Sequence, residues 1–435
     1  MKKIISGWGR INPVKTETYF PNNLTSLKKL FNKVNMIFRG NGRSYGDSSI
    51  QKNKTIFSSK FNRIIKFDKK KGRIKVQSGI LLKNLLEKTI PNGWFVPVSP
   101  GTKYVSIGGM VASNVHGKNQ HIDGCFVNFI KSIILILPNG KKKHLSKKKN
   151  EDLFYATCGG MGLTGFILEV EFDLLKINSG IIKQDKSYFS SLDELISEIK
   201  KRKEKYVVSW VDFFSFKNDK VKSILYTGEH YKSSKVIDNY SFKKDFLINK
   251  YIAQIINFFF INFIMNLFNK TKYFLDFKNK KKIVDINNFF YPLDSVINWN
   301  IIYGEKGFAQ YQFVVPYKFA TKTIKKIFNI LNKNKLKPYL VVIKNMKKDV
   351  GILTFAMNGI SVAIDVPNRN NLLSIFKKID KIVISASGKI YLAKDNFISS
   401  SNFRKMYKNY NEFIKIRKKY KLSSINSSQS IRLKI

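Results

Sequence analysis

Residues 39–47 read RGNGRSYGD, residues 100–109 read PGTKYVSIGG, and residues 159–165 read GGMGLTG. Glycine has no Cβ atom, so a backbone rich in glycine can bring its N–H groups against a phosphate and turn through positive φ. Apolar, strand-like runs separate the three segments. The pattern therefore predicts one large anionic cofactor wrapped by the backbone of an enzyme.

The side chains beside these glycines suit a diphosphate. Arg39 and Arg43 can neutralise it, and three hydroxyl groups can donate short hydrogen bonds, those of Ser44, Ser106 and Ser113. The pattern is not a Walker A loop, because no Gly-Lys-Ser/Thr follows at the required spacing. It is not a Rossmann fingerprint either, because a third glycine and an acidic residue about 20 residues further on are missing.

The length and composition predict a large globular protein with two domains. The chain has 435 residues, of which 43% are hydrophobic and 14% aromatic. Its formal net charge of +50 raises the question of nucleic-acid binding. However, the lysines are spread along the whole chain with an excess of Asn, Ile and Phe, which A/T-rich codons explain, and no nucleic-acid-binding motif accompanies them. We expect no nucleic-acid partner.

Metal and disulfide chemistry are not expected from this sequence. Two cysteines, Cys125 and Cys158, are too few for a disulfide framework or a metal site. The four histidines show no ligand spacing with nearby carboxylates. The N-terminus MKKIISGW is positively charged but has neither the apolar core nor the cleavage site of a signal peptide. We therefore expect a cytoplasmic protein without a bound metal.

One segment complicates the expected location. Residues 251–268 read YIAQIINFFFINFIMNLF, without a charge, and lysines flank them heavily. Four polar residues interrupt the run, which disfavours a spanning helix of about 20 apolar residues. An aromatic run beside basic residues is typical of a contact with anionic lipid, but a helix or loop buried in its own domain gives the same pattern. Both alternatives stay open, and the first would place the protein peripherally on the inner face of the plasma membrane.

Strand and helix signals alternate along the chain. Residues 73–77 alternate polar and apolar side chains like a strand, and the leucines of residues 81–89 are spaced as in a helix. Residues 130–137 form a continuous apolar run that ends at the turn signal Pro-Asn-Gly. Further strands are predicted at 36–38, 94–98, 166–172, 206–214, 309–315, 360–366 and 388–395. The prediction is an α+β fold with mixed strands.

Five segments, taken in order, resemble a known family. They are RGNGRSYGD, PGTKYVSIGGMVASNVHGKN, GGMGLTG, FAQYQFVVP at residues 308–316 and YLAKD at residues 391–395. Together they resemble the FAD-dependent oxidoreductases of the vanillyl-alcohol-oxidase (VAO/PCMH) type and, within that superfamily, the oxidases of polyprenyl-phosphoryl ribose. The likeness runs from about residue 6 to residue 435 and is weak from about 180 to 285. Motifs of this length in this order are far more specific than one glycine loop.

The resemblance implies a two-domain fold. Residues 1–178 would form the FAD-binding domain, residues 179–388 a substrate-binding domain on an antiparallel sheet, and residues 389–435 a segment that returns to the first domain. The implied contacts of FAD are Phe38, Arg39, Gly40, Asn41, Gly42, Arg43, Ser44, Tyr45, Gly46, Asp47, Ser48, Gly101, Ser106, Ile107, Gly108, Gly109, Ser113, Asn114, Val115, His116, Ile167 and Tyr391. Some relatives attach the flavin covalently to a histidine, but here we expect non-covalent binding, with His116 a contact only.

The resemblance also implies the residues that handle the substrate. Lys394 is the first candidate to orient or activate a substrate hydroxyl group, because a desolvated lysine beside a cofactor can act as a base or a donor. The simpler alternative is that Lys394 pairs with Asp395 at the surface. Gln312 and Tyr45 are the other catalytic candidates. Substrate contacts are expected from Lys118 and Lys344, which could hold a phosphate, and from Trp210, Gln310 and Ala363.

The implied reaction is oxidation of the 2′-hydroxyl group of a polyprenyl-phosphoryl-β-D-ribose to a ketone. It is the first half of an epimerisation to the arabinose form for cell-wall precursors, and it implies a lipid-linked sugar phosphate as substrate and a short-chain reductase as partner. Ala363 stands where mycobacterial relatives carry a cysteine, so we expect resistance to inhibitors that trap a thiol. Two alternatives stay open. One is an FAD-linked oxidase of a soluble polyol or aldonolactone, and the other is a lysine-rich protein that binds anionic membranes or nucleic acid without a chromophore.

Overall fold

The computed structural model describes residues 2–31, 35–231, 246–247, 263, 265–275 and 281–435. Most of the apolar segment 251–268 lies outside the described residues, so its predicted contact stays a prediction. Within the described part of the chain, no helix is both long enough and apolar enough to cross a bilayer.

Two sheets carry most of the N-terminal part of the chain. The first has four strands of mixed direction, in the spatial order Lys2–Ile5, Val14–Tyr19, Lys54–Phe57 and Met36–Arg39. The second has five antiparallel strands, in the order Ile64–Asp68, Arg73–Gln77, Phe166–Asp173, Ile130–Ile136 and Lys142–Leu145. A short antiparallel pair, Trp94–Phe95 with Leu175–Lys176, closes this part. Ile130–Ile136 is buried along most of its length, as its continuous apolar sequence predicts.

One large antiparallel sheet dominates the rest of the chain. Its eight strands follow the spatial order Lys281–Asp285, Ile181–Ser191, Lys220–His230, Tyr206–Val211, Leu340–Met346, Gly359–Pro367, Phe308–Val315 and Lys389–Ile390. The short strands Phe246–Leu247 and Val296–Ile297 pair in parallel beside it. We propose that the change from the smaller sheets to this sheet, near residue 178, marks the boundary between two domains.

Helices cover the sheets and complete the α+β fold, which confirms the predicted class. Their bounds are Leu24–Lys29, Leu82–Thr89, Ile107–Ala112, Gln120–Asp123, Glu151–Thr157, Leu192–Lys201, Ile286–Phe290, Ala320–Lys333, Leu372–Ser385, Ser400–Met406, Tyr410–Lys419 and Ser428–Leu433. Ala320–Lys333 buries Ile324, Ile327, Phe328 and Leu331, a spacing that places apolar side chains on one helical face. This helix, Leu192–Lys201 and Leu372–Ser385 pack on one face of the large sheet. Lys272 and Tyr273 contact side chains on its other face.

The last part of the chain returns to the first glycine segment. The backbone N–H of Tyr45 donates to the carbonyl oxygen of Ala393 at 3.1 Å, and that of Ser428 donates to Ile50 at 2.7 Å. Arg432 contributes an ion pair to Asp47 at 2.9 Å. These contacts support the proposal that residues 389–435 belong with the N-terminal domain.

Three predicted strands are shorter in the structure than in the prediction. The strand predicted at 94–98 covers only Trp94–Phe95, and the strand predicted at 206–214 ends at Val211. The prediction of a strand over 388–395 is wrong beyond Ile390, because a 3-10 turn follows at Leu392–Lys394. Alternating residue types do not distinguish such a turn from a strand.

Candidate active site

A cleft of about 1010 Å³ lies between the glycine segments and the face of the large sheet opposite its three covering helices. Residues of all three glycine segments line it, together with side chains from the sheet and from the turn Leu392–Lys394. Ligand pockets in proteins commonly measure about 300–1,000 Å³. This cleft therefore has room for a large cofactor and for part of a second molecule.

The sheet wall of the cleft follows from the two-residue period of strands. In Phe308–Val315, Gln310 and Gln312 face the cleft. Tyr311, between them, packs against Phe376 of the covering helix at a ring distance of 4.8 Å. The pairing of neighbouring strands adds further side chains to this wall, because residues directly opposite each other in paired strands share a face. One such row of side chains crosses four strands. This row is Trp210, Val342, Ala363 and Gln312.

The glycine wall forms a cradle that side chains would obstruct. A Cβ atom at Gly40 would lie 2.0 Å from the Oγ atom of Ser106, so the first two glycine segments touch only because this residue has no side chain. A Cβ atom at Gly101 would meet nothing within 4 Å, because its backbone faces the open cleft. Bare backbone that faces a deep cleft is the arrangement a phosphate-bearing cofactor requires.

The two arginines predicted for the diphosphate differ in their environment. Arg39 is buried and donates to the carbonyl oxygen of Ser6 at 2.7 Å and to Ser49 at 3.2 Å, and burial lowers its pKa to about 10. Arg43 stacks its guanidinium group 3.8 Å from the Trp8 ring centre, and its buried Nε atom has no hydrogen-bond partner among the described residues. Arg39 thus supports the loop, whereas Arg43 keeps a donor available for an anionic group.

Most of the predicted cofactor contacts line this one cleft. They are Phe38, Arg39, Gly40, Asn41, Gly42, Arg43, Ser44, Tyr45, Ser48, Gly101, Ser106, Gly108, Gly109, Ser113, Val115, His116, Ile167 and Tyr391. Four others do not line it. Gly46 and Asp47 face the C-terminal segment, Ile107 is fully buried, and the side chain of Asn114 accepts from the N–H of Val127. These four residues lie behind the wall, and their predicted contact with FAD stays a prediction.

His116 lies at the junction of the two walls. Its Nε2 atom is 3.0 Å from Nε2 of Gln312, and its Nδ1 atom is 3.4 Å from Nζ of Lys344. Burial, and then the nearby charges of Lys344 and Lys394, hold its pKa well below the usual value, so the ring is neutral. A neutral imidazole carries one proton, so it cannot accept hydrogen bonds at both nitrogen atoms.

Lys394 faces the cleft and does not pair with its neighbour in sequence. Its Nζ atom lies 3.7 Å from the ring centre of Tyr45. Asp395 is buried on the other side of the turn, where Arg432 binds it at 2.9 Å and the backbone N–H groups of Phe397 and Ile398 donate to it. The alternative of a surface pair between Lys394 and Asp395 is therefore wrong. Burial lowers the pKa of Lys394 to about 7, against the opposing effect of Asp365.

Three further lysines converge on the sheet wall. Burial, and then the charges of Lys344 and Lys272, lower the pKa of Lys118 to about 7. Burial likewise lowers the pKa of Lys344 to about 8. The Nζ atom of Lys272 lies over the ring of Trp210 at 5.6 Å. Ammonium groups that lower one another's pKa form a site that an anion would stabilise.

The remaining substrate candidates, Trp210, Gln310 and Ala363, also line the cleft, as do Gln312 and Tyr45. The sequence analysis missed Lys272, and it missed Trp8 and Tyr104, whose rings flank Arg43. It also missed the buried Asp365. A signal for Asp365 was present, because it follows Ala363 by two residues in one strand and so shares its face.

Comparison with known proteins agrees with this geometry. The FAD binding domain family matches residues 28–146. The decaprenylphosphoryl-beta-D-ribose oxidase of Mycolicibacterium smegmatis is 30% identical over 96% of this chain and 94% of its own length. The L-gulonolactone oxidase of Bos taurus is 22% identical over 95% of this chain and 93% of its own length. The D-lactate dehydrogenase of Anaerostipes hadrus is 28% identical over 28% of this chain and 27% of its own length.

Fold and site together define an FAD-dependent oxidoreductase of the two-domain VAO/PCMH type, which confirms the predicted fold class and cofactor. Within that class, the chain belongs to the decaprenylphosphoryl-β-D-ribose oxidase family.

Proposed function

We propose that this enzyme oxidises the 2′-hydroxyl group of a polyprenyl-phosphoryl-β-D-ribose to a ketone. One observation carries the proposal: a half-buried lysine beside a tyrosine and a cluster of three lysines line the same cleft as the glycine cradle. The first arrangement suits a hydroxyl group that loses its proton, and the second suits a phosphate. The similarity to the mycobacterial oxidase along almost the whole chain supports the same substrate class.

The residues of the cradle fit a non-covalently held FAD. Gly40, Gly42, Gly101 and Gly108 would approach it with bare backbone, and Arg43 would supply a charged donor. When bound, FAD accepts a hydride from the carbon atom that carries the hydroxyl group. The tasks that remain for the protein are to position that carbon atom and to remove the hydroxyl proton.

Lys394 is the residue we propose for proton removal. Its lowered pKa, about 7, gives it a substantial neutral fraction at neutral pH, and a neutral amine accepts a proton. The ring of Tyr45 fixes the position of its Nζ atom, and Gln312 lies in the same cleft to hydrogen-bond the sugar. The sugar would thus lie between the glycine cradle and the row that contains Gln312.

The phosphate is assigned to Lys118, Lys344 and Lys272. An anion would relieve the repulsion among these cations and raise their pKa values, so affinity is greatest where they carry protons. With pKa values lowered to about 7 and 8, Lys118 and Lys344 lose their protons as the pH rises. Affinity for the substrate should therefore fall between about pH 7 and pH 9.

Replacing Lys118 by Met should weaken substrate binding about 30-fold, which corresponds to about 2 kcal/mol for one lost hydrogen bond to a charged group. Titration calorimetry of the FAD-loaded protein with polyprenyl-phosphoryl ribose measures this change. Lys142→Met serves as the matched control, because Lys142 is exposed and distant from the cleft wall. Equal affinity of the Lys118→Met variant and the native protein would refute the assignment of the phosphate.

The substrate itself is tested by the visible spectrum of the FAD-loaded protein without oxygen. Polyprenyl-phosphoryl ribose should bleach the flavin absorbance, and free polyols or L-gulono-1,4-lactone should not. Bleaching by the lactone alone would favour the second candidate, an aldonolactone oxidase, which the similarity to the bovine L-gulonolactone oxidase supports more weakly. We also propose that a separate short-chain reductase consumes the ketone, because epimerisation requires its reduction.

We further propose a peripheral contact with anionic membrane beside the cleft, where a lipid-linked substrate would enter. Exposed apolar side chains cluster there with basic ones: Phe263, Leu267, Phe268, Phe274, Leu275, Lys270 and Lys282. The double variant Leu267→Ser and Phe274→Ser should reduce sedimentation with phosphatidylglycerol vesicles several-fold. The control is Leu373→Ser, because Leu373 is also exposed but belongs to a helix on the opposite face of the sheet. Equal losses in both variants would contradict a specific contact.

A further inference from the structure

Asp365 is a fully buried carboxylate on the cleft face of the large sheet. It lies directly opposite Gln310 in the neighbouring strand, and the Nε2 atom of Gln310 donates to its Oδ1 atom at 2.5 Å. Its Oδ2 atom is buried and has no hydrogen-bond partner among the described residues. A buried carboxylate with one unsatisfied oxygen is costly, so its position calls for a compensating charge.

The compensating charge is that of Lys394. Gln310 lies between the two groups, because it donates to Asp365 and also lowers the pKa of the Tyr45 hydroxyl group, whose ring Lys394 covers. Burial raises the pKa of Asp365 to about 7, against the opposing effects of the Gln310 hydrogen bond and the Lys394 charge. Asp365 in turn raises the pKa of Lys394, which burial lowers. The strands Phe308–Val315 and Gly359–Pro367 and the turn Leu392–Lys394 thus bring the carboxyl group of Asp365 and the amine of Lys394 into one part of the cleft.

Among the described groups, those that border this pair are neutral with one exception, while Arg43 and Asp294 act on the Tyr45 hydroxyl group. Burial raises the pKa values of Tyr45 and Tyr303 well above the usual range, and burial holds that of His116 well below it. The exception is Lys344, whose positive charge opposes the proton on Lys394. Asp365 is therefore the described group that favours the charged form of Lys394.

We propose that Asp365 is a positioning residue that acts through Gln310 and Tyr45 as the counter-charge of Lys394 and decides whether that lysine carries a proton when the substrate arrives. This inference deepens the proposed function and rests on it for its catalytic meaning. The charge pairing itself does not depend on the identity of the substrate.

The test measures the protonation of Lys394 directly in the FAD-loaded protein. Trace acetylation by acetic anhydride over a pH series, read by mass spectrometry of the peptides, reports the neutral fraction of each lysine. The pH at which half of Lys394 is neutral and reacts should lie near pH 7 in the native protein; this pH is the midpoint of its acetylation curve. The midpoint of Lys394 should fall by about one pH unit or more in Asp365→Asn. Burial already disfavours the charged form of Lys394, and this variant removes the negative charge that opposes that effect. Asp365→Glu should restore part of the shift.

Lys344 provides an internal control in the same cleft, because burial and the Cys125 thiol, not Asp365, act on its pKa. Its midpoint should stay near pH 8 in every variant. If Asp365→Asn does not fold, Gln310→Leu replaces it, since loss of the donated hydrogen bond favours the protonated acid and again removes the counter-charge. An unchanged midpoint of Lys394 in a folded variant would overturn the proposal.

A second readout separates this inference from the proposed function. The acidic limb of the pH profile for flavin reduction should move to lower pH in Asp365→Asn, because neutral Lys394 then persists at lower pH. If polyprenyl-phosphoryl ribose does not reduce the flavin, the proposed function fails, while the acetylation midpoints still decide the charge pairing.

Discussion

Replacing Lys394 by Met should lower the rate at which the substrate reduces the flavin by at least about 100-fold, the usual effect of removing a general base. The Nζ atom of Lys394 lies over the Tyr45 ring at the end of the glycine cradle, and its lowered pKa suits a base near neutral pH. Anaerobic stopped-flow absorbance at saturating substrate measures the rate without interference from reoxidation. Substrate affinity should change far less, because the phosphate is assigned to other lysines.

Two further variants define what Lys394 contributes. Lys394→Arg keeps a positive charge but cannot release a proton, so it should be as slow as Lys394→Met. Lys405→Met removes an exposed lysine from a helix in the same C-terminal segment and should leave the rate unchanged. If Lys394→Arg retained the native rate, Lys394 would act as a fixed charge and proton removal would belong to another group.

The second large effect is expected from Gly46→Ala. A Cβ atom at this position would lie 1.7 Å from the backbone carbonyl oxygen of Asp395, and backbone cannot move aside as a side chain can. The turn that carries Lys394 would be pushed away from the first glycine segment. We expect a loss of about 3 kcal/mol in the free energy of unfolding, at the upper end for overpacking, and a protein purified with little FAD. Thermal unfolding and the flavin-to-protein absorbance ratio measure both effects.

Gly101→Ala is the matched control for stability. A Cβ atom there meets nothing within 4 Å, so the melting temperature of the FAD-free protein should not change. The same melting temperature for Gly46→Ala and the native protein would show that the close approach of Gly46 and Asp395 is unimportant for the fold.

The parts of the site that local sequence could predict are those governed by local rules. Glycine-rich segments predict backbone without side chains that a cofactor can approach. Side chains alternate between the two faces of a strand, which predicts that Gln310 and Gln312 share a face. Both rules concern only a few neighbouring residues, so they can be applied to the sequence without knowledge of the tertiary structure. The resemblance to the FAD-dependent oxidases placed Lys394 and the cradle in one site, which spacing alone could not do.

Long-range pairing explains what the sequence analysis missed. The pairing of Asp365 with Gln310 depends on the register of two strands that are 55 residues apart, and nothing local specifies that register. Neighbouring residues can also point to opposite sides of a turn. Lys394 faces the cleft, whereas Asp395 binds Arg432 on the side of the turn away from the cleft. Gly46 and Asp47 lie behind the cleft wall for the same reason, because their partners are in the C-terminal segment.

The ion pair between Asp47 and Arg432 has a consequence for biosynthesis. It joins residues that are 385 positions apart, and the ribosome adds about 5–20 residues per second. The loop that contains Asp47 therefore waits about 20–80 s after its synthesis before the segment that braces it exists. We therefore expect stable loading with FAD to follow the synthesis of this segment.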